Sequence, residues 1–299
     1  MSPHFRSILQ ALLVTFLWST SVILIVVGLE DIPPITFAGL RYTLAFICLL
    51  PLAFRNARKH DLRQLTRLDW LQLAGLGLVM YTLTQGAQFL ALQYIPPATQ
   101  SLMLNLTSIV VLAMGIVWLS EYPTRKQVIG LFIFLGGIML YFYPIAFSPE
   151  QWLGLGISLF QVFSNAIAAV LGRYINRNAS ISALLITVIS MGVGASTLLI
   201  SGLVLQGMPM LNLQSWLIIV WLALVNTAFA FTLWNHTLRT LTAVESSLIN
   251  STMLIQIGIL AWIFLGDSLS LQEIIGMAIA AVGIILVQLK GGSRQPIEE

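Results

Sequence analysis

Amides, indoles, a phenol and hydroxyls recur at helical spacing inside stretches of this chain that otherwise carry apolar side chains. Tyr81, Thr84, Gln85 and Gln88 fall with Gly77 within roughly 100° of one helical face. Thr15, Trp18 and Ser19 cluster in the same way near the N-terminus, as do Gln161, Ser164 and Asn165 past the middle. Thr227, Phe231 and Trp234 form another stripe, and Gln100, Asn105 and Thr107 share a further stretch. Glu245, Thr252 and Gln256 lie within about 40° of one another on a helix. Such groups cost free energy against hydrocarbon, so the stripes should face the inside of a bundle. There an amide both donates and accepts, while an indole or phenol offers an apolar wall with one polar tip. Trp18, Ser19, Tyr81, Gln85, Gln88, Gln161, Asn165 and Trp234 are the candidate solute-binding residues. The competing reading is that they are hydrogen bonds holding helices together.

The ionisable residues narrow the chemistry. Arg41 sits about seven residues, or roughly 10 Å, inside an apolar run. It either pairs with a solute carboxylate or serves structure by snorkelling or finding an internal partner. Glu245 opens another run, as a solvated carboxylate favoured by a helix N-terminus or as a proton-coupling site. His236 reads as an interfacial histidine. No Lys/Arg cluster lies within the runs, so a phosphate-rich substrate would find little to neutralise it. Amides and aromatic rings suit a small neutral or zwitterionic organic solute, or an aromatic or cationic one. HExxH, GxSxG, paired aspartates and a Walker loop are all missing, so no enzyme activity is expected. The single cysteine, Cys48, excludes a disulfide framework or cysteine metal site. No cofactor and no metal are expected.

The elements that must position these side chains follow from composition. Hydrophobic residues make up 58% of the 299 residues and charged ones 8%, with mean hydropathy +0.92. So few charges cannot cover a soluble surface of this size, so the solvent must be a lipid bilayer. Ten apolar runs lie near 7–28, 35–54, 70–91, 98–119, 128–147, 152–172, 180–205, 215–236, 244–264 and 271–289. Each approaches the ~20 residues that a helix needs to cross the hydrocarbon. The first lacks a small-residue cleavage site and is expected to be a retained span. Of the fourteen Lys and Arg residues, all except Arg41 fall at Arg6 or in joints after even-numbered runs. The other joints carry Glu30, Asp31, Glu150 and Asp267. By the positive-inside rule both termini are cytoplasmic, in a multi-pass protein of the plasma (inner) membrane. The basic residues are topology signals, which accounts for the pI of about 9.2 without nucleic acid.

The chain also repeats itself. Leu92 to Gly137 recurs 146 positions later as Leu238 to Gly283, with Glu121 over Asp267, Gly130 over Gly276 and Gly137 over Gly283. The offset is about half the chain, which points to duplication. Five runs per half is an odd number, so the second half must enter from the opposite side. Arg125 and Lys126 accordingly align with Leu271 and Gln272, and Gln93 with Arg239. The fold class expected is an all-α membrane protein with ten transmembrane helices in two inverted five-helix repeats. That is the architecture of secondary transporters with a midplane site.

Trp118-Leu119-Ser120-Glu121 through Ile129-Gly130 and Gly137 resembles the paired EamA domains of the drug/metabolite transporter superfamily. So does its twin, Phe264-Leu265-Gly266-Asp267 through Ile275-Gly276 and Gly283, and so do Pro34, Ala38 and Arg41-Tyr42. The resemblance covers essentially the whole chain. It gives domains at 1–147 and 148–290 with a cytoplasmic tail at 291–299. It implies a cavity lined mainly by spans 1, 3, 4, 6, 8 and 9, and transport of metabolites such as amino acids, often outward. The proline often found midway along spans 4 and 9 is absent here, where Thr107-Ser108 and Met253-Leu254 stand. The expectation is a secondary transporter exporting an amino acid or related solute by alternating access. Its partners are the solute, the bilayer and, if Glu245 couples, protons. A flippase for a lipid or lipid-linked sugar is the alternative. Glycine-rich faces serve packing within one chain or between chains alike, which leaves the oligomer open.

Overall fold

The computed structural model describes residues 3–56, 65–119, 124–144, 147–178, 182–237, 240–241, 249–267 and 269–288. The elements are α1 (Pro3–Gly28), α2 (Pro34–Asn56), α3 (Arg67–Gly77), α4 (Gly86–Ala91), α5 (Pro97–Leu119) and α6 (Arg125–Phe142). Then follow α7 (Pro149–Asn178), α8 (Ala183–Gln206), α9 (Leu213–Ala223), α10 (Ala230–Thr237), α11 (Met253–Leu265) and α12 (Leu271–Gln288). A π-helical segment, Leu78–Gln85, joins α3 to α4, and another, Leu224–Phe229, joins α9 to α10. No strand occurs among the described residues.

Local chemistry sets the helix starts. α1, α2, α5 and α7 each open on a proline, whose fixed φ suits the first turn and whose missing N–H costs nothing there. Thr66 and Asp69 form a capping box on α3, and Thr124 and Gln127 form one on α6. Ser270 and Glu273 build the same reciprocal pair on α12, with Ser270 N–H donating to Glu273 Oε2 at 2.7 Å and Glu273 N–H to Ser270 Oγ at 3.2 Å. Asn212 caps α9 by accepting from Ser215 N–H at 2.7 Å. The caps on α3 and α9, the caps on α6 and α12, and the starts of the two π segments are each separated by the sequence offset of 146.

Five helices among the described residues are long and apolar enough to cross a bilayer: His4–Gly28, Pro34–Ala53, Arg125–Phe142, Pro149–Gly172 and Leu184–Gln206. Leu213–Phe229, Ile249–Leu265 and Leu271–Val287 are apolar but shorter. The runs expected at 70–91 and 215–236 are each divided by a π segment, which breaks the α ladder in mid-run. Val204, Met139 and Phe132 are exposed, while Thr15, Ser19, Gln161 and Asn226 are buried among apolar side chains. An apolar outside with its polar groups turned inward is the solution that hydrocarbon demands.

The bundle is tied by antiparallel pairs, α2 against α8 and α6 against α12. At the second, Gly130 lies over Gly283 and Gly137 over Gly276. A Cβ on Gly130 would come within 2.7 Å of the Gly283 carbonyl, and one on Gly137 within 2.7 Å of the Gly276 carbonyl. Only glycine permits that approach. The offset of 146 turns one contact into the other, exchanging the two helices.

A central cavity lined by amides

A cavity of about 200 Å³ lies between α4, α5, α7 and α11, with Val22 of α1 on its wall. Gln88, Gln100, Asn105, Thr107, Asn165 and Asn250 contribute to its polar lining, and among the described residues no charged side chain lines it. Asn165 Nδ2 donates to Thr107 Oγ1 at 3.4 Å, a long contact that a better acceptor can compete for. Asn105 Nδ2 turns back onto its own helix, donating to Ser101 O at 2.8 Å. Gln100 Nε2 donates to Gln161 Oε1, and both residues are almost fully buried. Gln100 Oε1 is left buried without a partner, an acceptor that a solute N–H could satisfy.

Of the candidate residues, Gln88 and Asn165 line this cavity and Gln161 stands directly behind it. Trp18 is one helical turn from Val22 on α1. Its Nε1–H donates to Asn226 O in the second π segment at 3.2 Å, and its ring lies 5.2 Å from Trp234 and 5.3 Å from Phe231. Ser19 Oγ bridges Thr15 O at 2.8 Å and Gln256 Oε1 at 2.9 Å. The amide of Gln256 in turn donates to Thr252 Oγ1 at 3.0 Å. Trp18, Ser19 and Trp234 thus form a belt that ties α1 to α10 and α11.

Tyr81 and Arg41 lie apart from the cavity. Tyr81 is buried against Tyr42, with ring centroids 5.6 Å apart. Arg41, 4% exposed, donates from Nε to Thr227 Oγ1 at 3.1 Å, and its guanidinium carbon lies 5.1 Å from the Tyr42 ring. Gln85 ends the first π segment, half-buried. Glu245 falls outside the described residues. Sequence periodicity groups Tyr81 with Gln88 because it assumes 3.6 residues per turn throughout. The π segment between them widens the helix and turns the two apart.

Each π segment carries a hydroxyl clamp. Thr84 Oγ1 donates to Val79 O and Thr227 Oγ1 to Leu222 O, each at 2.8 Å across five residues. These hydroxyls satisfy carbonyls that the widened turn releases. Gln100, Asn105 and Thr107 were visible as a polar stretch, but nothing in the sequence separates them from ordinary interhelical glue. Asn250 carried no functional signal at all. Among the described residues no group of three or more His, Cys, Asp or Glu is placed to hold a metal ion.

The amide-lined cavity lies inside a bundle that exposes many large apolar side chains. The EamA-like transporter family matches the chain twice, over residues 5–143 and 151–289. The chain belongs to this family. It is a multi-pass membrane protein of a transporter fold, and its two EamA matches are separated by the same offset of 146. It is 26% identical over 239 residues, 75% of each chain, to the "Probable amino-acid metabolite efflux pump" of Salmonella typhimurium. It is 23% identical to the "Uncharacterized transporter YoaV" of Bacillus subtilis, covering 91% of this chain and 93% of that one. An "Uncharacterized transporter" of Archaeoglobus fulgidus is 30% identical over 128 residues, a match that spans 43% of either chain. A solved crystal structure, 18% identical, superposes with a TM-score of 0.68 over 95% of this chain and 97% of the other, a likeness of fold alone.

Proposed function

We propose that this EamA protein is a secondary transporter that exports a small neutral or zwitterionic metabolite, an amino acid or a close relative, by alternating access. The observation that carries the reading is the central cavity, lined by Gln88, Gln100, Asn105 and Asn165 and, among the described residues, by no charged side chain. Its volume of about 200 Å³ lies below the ~300–1,000 Å³ of sites for drug-sized ligands, which favours a small solute. In this reading Gln88 and Asn165 orient the polar groups of the solute, and Gln161 holds Gln100 so that its free carbonyl receives a solute N–H. Trp18 and Trp234 wall the passage next to the cavity, with Ser19 tying the helix of Trp18 to α11. Tyr81, Gln85 and Arg41 support the π segments.

The moving parts are two five-helix halves of opposite topology, ten spans in all, with both termini in the cytoplasm of a plasma (inner) membrane protein. The recurrent caps, the paired π segments and the exchangeable glycine contacts between α6 and α12 all support that duplication. The efflux name of the Salmonella relative supports export. Counterflow in proteoliposomes with a panel of labelled amino acids tests the reading. Saturable exchange of one amino acid class, lost in Asn165→Ala, is expected. Silence across the panel, or exchange indifferent to both Asn165→Ala and Gln88→Ala, would contradict it.

A further inference from the structure

A second and larger chamber, about 660 Å³, opens at the end of the molecule that the charge pattern puts outside. It lies between the first turn of α5, the end of α6, the start of α7 and the loop leading into α12. The first turn of α5 faces both spaces. Ala98 and Thr99 line the chamber, whereas Pro97 and Gln100 line the central cavity. A packed layer containing Ala98, Leu102 and Leu254 lies in the same region.

The chamber's chemistry differs from the cavity's. Its aromatic wall includes Tyr141, Phe142 and Phe147, with Phe142 5.0 Å from Tyr141 and 5.3 Å from Phe147. Tyr141 hydroxyl and Thr99 Oγ1 are 3.0 Å apart, which fixes that ring's edge. Among the described residues two carboxylates line the chamber and no Lys or Arg does. Glu273 is committed, since its Oε2 accepts the Ser270 N–H of the α12 cap at 2.7 Å. Asp267 is not. It follows Gly266, which turns the chain at φ 71°, and its Oδ2 is buried without a hydrogen-bond partner. Burial without a partner raises its carboxyl above the ordinary range. An anionic group held at some desolvation cost beside aromatic rings, with no protein cation in the same lining, calls for a cation from outside.

We propose that this outer chamber is a binding site for organic cations, with Asp267 as counter-charge to an ammonium group and the rings of Tyr141, Tyr143 and Phe147 holding its apolar body. Ammonium against carboxylate sets the charge, and rings add the attraction that favours an organic ammonium over a metal cation. The site is distinct from the amide-lined cavity and does not rest on what that cavity carries.

Equilibrium binding of labelled 2-phenylethylamine to the purified full chain tests it, with tetramethylammonium and the uncharged 2-phenylethanol as competitors. Saturable binding is expected, displaced by tetramethylammonium but not by the alcohol. Asp267→Asn should weaken it by about tenfold, the scale expected for losing a partly desolvated ion pair, and Asn165→Ala should leave it unchanged. Asp267→Asn removes a desolvated charge, so its melting temperature at neutral pH should not fall. That separates lost binding from lost folding. Tyr143→Ala, at a largely exposed ring, serves as a second variant and should also weaken the probe. Binding that Asp267→Asn and Tyr143→Ala both leave intact, or that the alcohol displaces equally, would overturn the proposal. So would binding abolished by Asn165→Ala, which would put the probe in the central cavity. Amino acid counterflow is read separately, so either idea can fail without the other.

Discussion

At the scale of single residues, the cavity holds unspent hydrogen-bonding capacity on which the proposed solute binding rests. Asn165 reaches Thr107 only at 3.4 Å, and Gln100 Oε1 has no partner. A solute amine or carboxyl can therefore be bound without first breaking a strong internal bond. A typical hydrogen bond contributes about 0.5–1.5 kcal/mol net, so Asn165→Ala and Gln88→Ala should each raise the KM for transport roughly two- to tenfold. Uptake kinetics in proteoliposomes would check this, with unchanged melting temperature as the control. Gln88, Gln161 and Asn165 were legible as polar stripes because amides inside apolar runs have few places to go. Gln100 was seen without being distinguished, since its meaning lies in the orphaned oxygen that only coordinates reveal.

At the scale of elements, two devices hold the bundle. The first is the glycine crossing of α6 and α12. A Cβ on Gly137 would meet backbone at 2.7 Å, whereas one on its neighbour Gly136 meets nothing within 4 Å. Gly137→Ala should therefore lose about 1–3 kcal/mol of stability from overpacking. Gly136→Ala should be neutral or slightly stabilising by helix propensity, and thermal melts in detergent would compare the two. The second device is the pair of π segments. Thr227→Val removes the clamp on Leu222 O and also the acceptor of the buried Arg41 Nε–H. It should cost about 1–3 kcal/mol for the unsatisfied donor alone, more than Thr84→Val in the first π segment. Equilibrium unfolding of the two variants measures the difference. The acid and glycines of each repeat announced the duplication, while the partner of the glycine faces stayed open between one chain and two. The π segments were not legible, because Leu78–Gln85 and Leu224–Phe229 contain neither proline nor glycine. They arise where a threonine satisfies a carbonyl five residues back, which no helical wheel anticipates.

At the scale of the whole molecule, the sequence offset of 146 recurs in caps, π segments and family matches alike. Exchanging the halves turns the Gly130–Gly283 contact into the Gly137–Gly276 contact, the symmetry that the proposed rocking of one half against the other calls for. The central cavity then sits where both halves contribute walls, from Val22, Gln88 and Gln100 in the first to Asn165 and Leu254 in the second. Membrane character and duplication were the most legible, because composition and repetition are statistics over hundreds of residues. Local side-chain geometry is not.

The most direct test of alternating access through this cavity is thiol accessibility at Ser108, which lines it midway along α5. Ser108→Cys in a Cys48→Ala background would be exposed to a membrane-impermeant maleimide in right-side-out and in inside-out vesicles. The account predicts labelling in both orientations, because one cavity opens in turn to either side. Labelling from neither side, or from one side only, would contradict it.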